Sequence, residues 1–75
     1  MNIQIRYCGE LNYLPQASSL QAAIKTKFGI TATLKEGAAG IFEVSINDEV
    51  AYTNQETFRF PTNEEIFAKI DAAKK

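Results

Sequence analysis

Residues 2–11 read Asn2-Ile3-Gln4-Ile5-Arg6-Tyr7-Cys8-Gly9-Glu10-Leu11, and this stretch decides the fold. Polar and apolar residues alternate from Asn2 to Tyr7, a period of two that predicts a β-strand over residues 2–7. A short loop then leads into a predicted helix. Cys8 lies at this junction, the carboxyl end of a strand, where open sheets that contain parallel strands hold ligands and reactive groups. We therefore expect any chemistry of this chain at Cys8.

The first predicted helix begins between Asn12 and Pro15 and ends at Phe28. Proline fits the first turn of a helix because its missing N–H would have no partner there. Gly29 supplies the usual stop signal. Helical spacing defines a buried stripe made of Ala17, Leu20, Ile24 and Phe28.

Three further strands are predicted over residues 30–35, 41–46 and 49–53. Asn47 and Asp48 join the last two as a two-residue hairpin turn, because both residue types tolerate a positive φ. Residues 54–61 are expected to form a polar loop. Thr62 opens the last helix with the capping-box pattern Thr62-x-x-Glu65. The buried stripe of this helix is predicted to contain Ile66, Phe67, Ile70 and Ala73.

The predicted order is strand, helix, strand, strand, strand, helix. A helix between two strands makes a right-handed parallel crossover, and a two-residue turn makes an antiparallel pair. The prediction is an α/β (α+β) chain with a minimal thioredoxin-like fold, β-α-β-β-β-α, in which helices cover a four-stranded mixed sheet. A ferredoxin-like sandwich fits less well because it needs a second helix between strands three and four. We expect residues 1–75 to form a single domain.

Composition excludes several classes of function. The net charge is -1 and the basic residues are scattered, so we expect no nucleic-acid partner and no acidic lipid surface. No apolar run approaches the roughly 20 residues that span a bilayer, so we expect no membrane segment. The single cysteine excludes an intramolecular disulfide and predicts a cytoplasmic location. The absence of histidine removes the commonest general base and most zinc sites, so we expect no metal and no resident cofactor.

Three motifs together resemble a known family. They are Tyr7-Cys8-Gly9 after the first strand, Gly40-Ile41-Phe42-Glu43-Val44 at the start of the hairpin, and Phe60-Pro61 before the last helix. In this order and spacing they resemble the selenoprotein W-like proteins, the Rdx family of small thioredoxin-fold proteins. The loop of that family usually reads Cys-x-x-Cys or Cys-x-x-selenocysteine, from which a thiol or selenol redox role is inferred. The resemblance makes Cys8 the first cysteine, fits Gly9 to the loop, and places Leu11 at the second, lost position.

The first functional hypothesis is single-thiol chemistry at Cys8. Without a second sulfur, the chemistry left is a mixed disulfide with glutathione or a protein, a sulfenic acid, or a disulfide-linked dimer. A nearby helix start would stabilise the thiolate, whereas Glu10 would oppose it. This hypothesis expects Cys8 to be reachable by solvent. The alternative interpretation, that Cys8 is a small apolar residue that fills space, stays open.

The second functional hypothesis is a non-catalytic protein-interaction module. Leu11 is apolar where the resemblance implies a reactive atom, and four aromatic residues are candidates for an exposed patch: Tyr13, Tyr52, Phe58 and Phe60. Tyr13 and Phe58 are the predicted docking residues, because nothing in the local periodicity buries them. For Phe60, packing under the last helix is the favoured interpretation.

Overall fold

The structure is a computed structural model that describes residues 1–74. Within this range the chain forms four strands and three helices. In chain order these are β1 (Ile3–Cys8), α1 (Leu14–Phe28), β2 (Thr33–Gly37), β3 (Phe42–Ile46), β4 (Glu49–Thr53), α2 (Asn54–Thr57) and α3 (Asn63–Ala73). None of the helices in the described range is long and apolar enough to cross a bilayer.

The four strands form one mixed sheet in the order β2-β1-β3-β4. β1 and β2 are parallel, with a register that runs from Gln4 opposite Thr33 to Cys8 opposite Gly37. β3 is antiparallel to both β1 and β4. The predicted four-stranded mixed sheet, with its parallel crossover and its terminal hairpin, is confirmed.

The hydrophobic core lies between the sheet and the two longer helices. α1 contacts β1 and β2, α3 contacts β3 and β4, and the two helices also contact each other. They therefore cover the same face of the sheet. The fully buried core residues are Ile3, Ile5, Ala17, Ile24, Ala32, Phe42, Val44, Ile66 and Ile70.

Local signals in the sequence located the turns and helix ends correctly. Gly29 ends α1 in the left-handed region with φ 71°. Asn47 and Asp48 both have positive φ, at 52° and 69°, which is the geometry of a type I′ hairpin. The Thr62 hydroxyl accepts a hydrogen bond from the backbone N–H of Glu65, and the Glu65 carboxylate accepts one from the backbone N–H of Thr62.

The second strand differs from the prediction. β2 begins at Thr33, not Ile30, and continues to Gly37. Residues 30–32 instead return the chain from α1 to the sheet, and the Gln21 side-chain amide donates a 2.7 Å hydrogen bond to the Ala32 carbonyl. This bond satisfies the carbonyl outside the sheet ladder, so the alternation reflects the packing of Ile30 and Ala32 against the core without a strand at these two residues.

The region after β4 also differs from the prediction. Residues 54–57 form the short helix α2, because the Thr53 hydroxyl accepts a hydrogen bond from the Gln55 N–H at 3.2 Å and caps the turn. Tyr52 is only 7% exposed, so its assignment to an exposed aromatic patch was wrong. Its hydroxyl is bonded to Thr57 and to the Arg59 carbonyl. Ala73 is exposed, because α3 extends past the sheet there.

Candidate functional site

Cys8 is the last residue of β1, and it is 1% exposed. The parallel register places it opposite Gly37, on the same face of the sheet. A Cβ atom at Gly37 would collide with Ile41 and with the aliphatic part of Arg6, so side chains from two segments crowd the backbone opposite Cys8. Because Cys8 is buried, the expectation of a solvent-reachable thiol is wrong.

The loop after Cys8 folds back on the end of β1. The backbone N–H of Tyr13 donates to the Cys8 carbonyl, and that of Asn12 to the Gly9 carbonyl, both at 3.1 Å. α1 starts only at Leu14. The hydrogen bond from Tyr13, the N-cap residue of α1, thus brings the start of this helix next to the end of β1.

The side chain of Glu36 lies against Gly9 in this loop. A Cβ at Gly9 would collide with the Glu36 carboxyl group. Any larger residue at position 9 would displace Glu36. Two exposed carboxylates thus belong to this region, Glu10 in the loop itself and Glu36 in β2, whose carboxyl group lies against Gly9.

Leu11 occupies the position where the resemblance implies a second sulfur or selenium, and its side chain is 57% exposed. Its Cδ1 atom lies 3.4 Å from the position that a Cβ would take at Gly40. Leu11 therefore covers the β2–β3 loop without being buried by it. An apolar side chain at the tip of the loop leaves no donor, acceptor or nucleophile at this position.

Phe60 packs between two other aromatic rings. Its ring meets Tyr13 edge to face with the centroids 4.8 Å apart, and it meets Phe42 in the same way at 5.1 Å. The Phe60 side chain remains 37% exposed. Phe60 thus has a packing role, as favoured from the sequence, but its contacts are the Cys8 loop and β3. Tyr13 is half-buried by the same cluster.

Phe58 is the most exposed large apolar residue of the described chain, at 88%. It follows α2 in the left-handed region with φ 58°, and its N–H donates to the Asn54 carbonyl at 2.7 Å. This conformation costs a non-glycine residue about 1–2 kcal/mol. A glycine would serve the helix end better, so folding does not account for the phenyl ring.

The exposed residues form one continuous surface. Phe58 lines a depression of about 340 Å³ with Ala39 and Gly40, and a second one of about 160 Å³ with Tyr13 and Phe60. Leu11 lies against Gly40 on the first side. We call this the Leu11–Phe58 surface; its members are Leu11, Tyr13, Gly40, Phe58 and Phe60.

Asn54 holds α2, and hence Phe58, against the sheet. Its Oδ1 accepts a hydrogen bond from the Phe42 N–H at 2.9 Å, and its Nδ2 donates to the Gly40 carbonyl at 2.8 Å. One side chain therefore continues the hydrogen bonding of β3 beyond the end of β4. Sequence reasoning missed this residue, although an asparagine directly after a strand is a common point for side-chain bonds to the backbone.

Arg59 is fixed by Glu65. Two parallel hydrogen bonds of 2.7 Å join the guanidinium to the carboxylate. The bond from Arg59, followed by the one from the Thr62 backbone, lowers the pKa of Glu65 from 4.5 to about 2, and the same pair raises the pKa of Arg59. The pair ties the Phe58–Phe60 segment to the start of α3. Among residues 1–74 no group of histidine, cysteine or carboxylate side chains could hold a metal ion.

Comparisons with known proteins agree with this architecture. The structure resembles a selenoprotein W-related protein from Vibrio cholerae with a TM-score of 0.92 and 18% identity, over 99% of this chain and 96% of that one. It also resembles a Bordetella parapertussis protein with a TM-score of 0.90 and 20% identity, over 96% and 95% of the two chains. At these identities the similarity shows the fold alone. No protein of curated function matches the chain.

The family assignment rests on the sequence of almost the whole chain. The model of the Rdx family matches residues 2–72, a range that includes the Cys8 loop, the hairpin and most of α3. The resemblance inferred from the three short motifs is thereby confirmed. The chain belongs to the Rdx family.

Proposed function

We propose that this chain is a protein-binding member of its family, which docks a partner protein on the Leu11–Phe58 surface and performs no chemistry at Cys8. The observation that carries the proposal is Phe58. Its ring is 88% exposed and so adds little packing, while its backbone is in the left-handed region, which disfavours the folded state for a non-glycine residue. Such strain persists at positions that serve a function.

The physical gain on binding lies in the apolar side chains. Full burial of a leucine or phenylalanine side chain contributes about 1.5–3 kcal/mol, and Leu11 and Phe58 both have most of their surface available. Phe60 and Tyr13 provide a packed base beside them. A few rigid anchors on a packed base are the usual composition of a binding hot spot.

The state of Cys8 supports the same conclusion. The thiol is enclosed at 1% exposure, and Leu11 removes the second reactive position of the loop. A surface that retains exposed apolar groups while its only thiol is buried fits recognition better than thiol exchange.

The proposal is tested by capturing partners on the immobilised protein under reducing conditions, with four variants in parallel. Phe58→Ala and Leu11→Ser should abolish capture of a specific partner, whereas Cys8→Ser should retain it. Val50→Ala is the matched control, because Val50 is also an exposed apolar residue but lies at the hairpin end of β4. Capture that requires Cys8 and an oxidant, or that Val50→Ala reduces equally, contradicts the proposal.

A second candidate function is single-thiol adduct formation, and one observation favours it. Cys8 stands at the first-cysteine position of the family loop, at the carboxyl end of β1. In this reaction the Cys8 thiolate would attack a sulfur of oxidised glutathione, form a mixed disulfide and release one glutathione thiolate. The structure around Cys8 would have to open locally first. A cytoplasmic location, proposed from the single unpaired cysteine, would provide glutathione.

This second candidate is tested by mass spectrometry of the folded protein after incubation with oxidised glutathione. It requires a mass increase of one glutathione that Cys8→Ser eliminates. An unmodified folded protein, under conditions that modify the denatured chain, excludes it.

A further inference from the structure

The Leu11–Phe58 surface has acidic neighbours. Glu10 directly precedes Leu11, and the carboxyl group of Glu36 lies against Gly9 in the same loop. Both side chains are exposed, so carboxylates lie beside the Leu11 end of this surface.

Local structure does not explain Glu10 and Glu36. Acidic residues in the first turn of a helix, such as Glu64 and Glu65 in α3, are stabilised by the helix dipole. Glu10 lies in a turn and Glu36 in a strand, and neither is joined to a cation in the structure of residues 1–74. Neither a helix end nor an ion pair therefore accounts for these two exposed carboxylates.

The nearest arginines form no ion pair with Glu10 or Glu36 within the described residues. Within the described chain, Arg59 is the one basic side chain in the loops that form the Leu11–Phe58 surface. Its two terminal guanidinium nitrogens both donate hydrogen bonds to the Glu65 carboxylate. Arg6, whose side chain lies against Gly37, stands opposite Glu43 in the β1–β3 register. The negative charge beside Leu11 is therefore not compensated by the nearest arginines.

The lysines at the ends of α1 and α3 lie far from this surface. Lys25 and Lys27 are in the last turn of α1, and Lys74 follows α3. α1 has 15 residues, so it separates the two ends by about 22 Å. Since charges are screened over about 10 Å at 0.1 M salt, a partner at the Leu11–Phe58 surface experiences mainly the local carboxylates.

We infer that the partner's docking segment is basic and amphipathic, with apolar side chains that cover Leu11 and Phe58 and lysines or arginines that face Glu10 and Glu36. This inference rests on the proposed function and adds the chemical class of the partner. Charge complementarity at the rim of an interface selects the partner and speeds its association, while the apolar anchors provide most of the affinity.

The test is a titration of the isotopically labelled protein, followed by amide NMR shifts, with two synthetic decapeptides. One contains lysines around two leucines, and the other has glutamate in place of each lysine. The lysine peptide should shift signals of residues 9–13, 38–41 and 54–60, whereas the glutamate peptide should not. Replacing Glu10 and Glu36 together by glutamine should weaken binding of the lysine peptide about fivefold.

A control variant and the Phe58→Ala variant distinguish the inference of a basic partner from the proposal of the binding surface. Asp48→Asn with Glu49→Gln removes the same charge at the far hairpin and should leave binding unchanged. If both peptides bind this surface equally, or the two double variants behave alike, the inference of a basic partner is overturned while the binding surface stands. If Phe58→Ala leaves lysine-peptide binding unchanged, the surface itself is wrong. If neither peptide shifts these residues, the inference of a basic partner is overturned.

Discussion

The rings of Tyr13 and Phe60 pack edge to face with their centroids 4.8 Å apart. This contact joins the loop after β1 to the segment before α3, two regions that are far apart in the chain. Phe58 lies beside these two rings and is 88% exposed to solvent. Tyr13 is therefore a poor position for a binding test, because its removal would also loosen Phe60. Phe58 and Leu11 can be changed with little effect on the core.

Replacing Phe58 by glycine should stabilise the protein and remove binding. Glycine adopts the left-handed conformation without the penalty of about 1 kcal/mol that the phenylalanine backbone bears, and the exposed ring contributes little packing. The expected result is an equal or higher free energy of unfolding in urea, by up to about 1 kcal/mol. A marked loss of stability would show that the ring packs in the folded state and would contradict its assignment to a docking surface.

Asn54→Ala should destabilise the protein by about 1–3 kcal/mol, because it leaves the Phe42 N–H and the Gly40 carbonyl without their partner. The change in the free energy of unfolding is measured by urea denaturation. Gln55→Ala, at the exposed next position, is the control and should change stability by less than about 0.5 kcal/mol. Equal effects of the two changes would mean that Asn54 does not anchor α2.

Acid should remove the stabilisation that the Glu65 carboxylate gives to the folded protein. Its pKa is lowered to about 2 in the folded protein from a reference value of 4.5, chiefly by Arg59. Since the folded pKa is the lower one, the stabilisation is complete above about pH 4.5 and is lost as the pH falls toward 2. The melting temperature of Glu65→Gln should therefore approach that of the parent protein below pH 3. A constant difference from pH 7 to pH 2 would contradict this assignment.

Short-range signals made most of the fold predictable. The alternation of residues 2–7, the positive-φ pair Asn47-Asp48 and the Thr62-x-x-Glu65 capping box each lie within a few residues, and each was confirmed. The start of β2 was wrong because a side chain of α1, Gln21, bonds to the Ala32 carbonyl. No local pattern contains a contact of that kind.

The candidate site was harder to predict, because its contacts also join residues that are far apart in the sequence. Sequence placed Leu11 and Phe58 in loops and Cys8 near the end of the first strand, but the burial of Cys8 is set by a sheet register, with Gly37 opposite Cys8, that no local pattern contains. Tyr52 was wrongly expected to be exposed, because its hydroxyl partners, Thr57 and Arg59, lie in and just after the unanticipated helix α2. Asn54 was missed because its partners lie on another strand.

Cys8 should react slowly with iodoacetamide while the protein is folded. The side chain is 1% exposed, so alkylation requires a local opening of the structure around it. At equal pH we expect the folded protein to react at least about tenfold more slowly than the same protein in denaturant. Equal rates would show that the thiol is accessible and would favour the single-thiol candidate. The extent of alkylation of the folded and of the denatured protein is measured over time by mass spectrometry.

The most direct measurement is site-specific photo-crosslinking from position 58. A benzophenone amino acid replaces Phe58 in one variant and Val50 in a matched control, since both side chains are exposed and the two positions lie at opposite ends of β4. The account predicts a discrete crosslinked partner from position 58, also in the Cys8→Ser background, and none from position 50. No product from position 58, or the same products from both positions, would contradict a docking surface at Leu11 and Phe58.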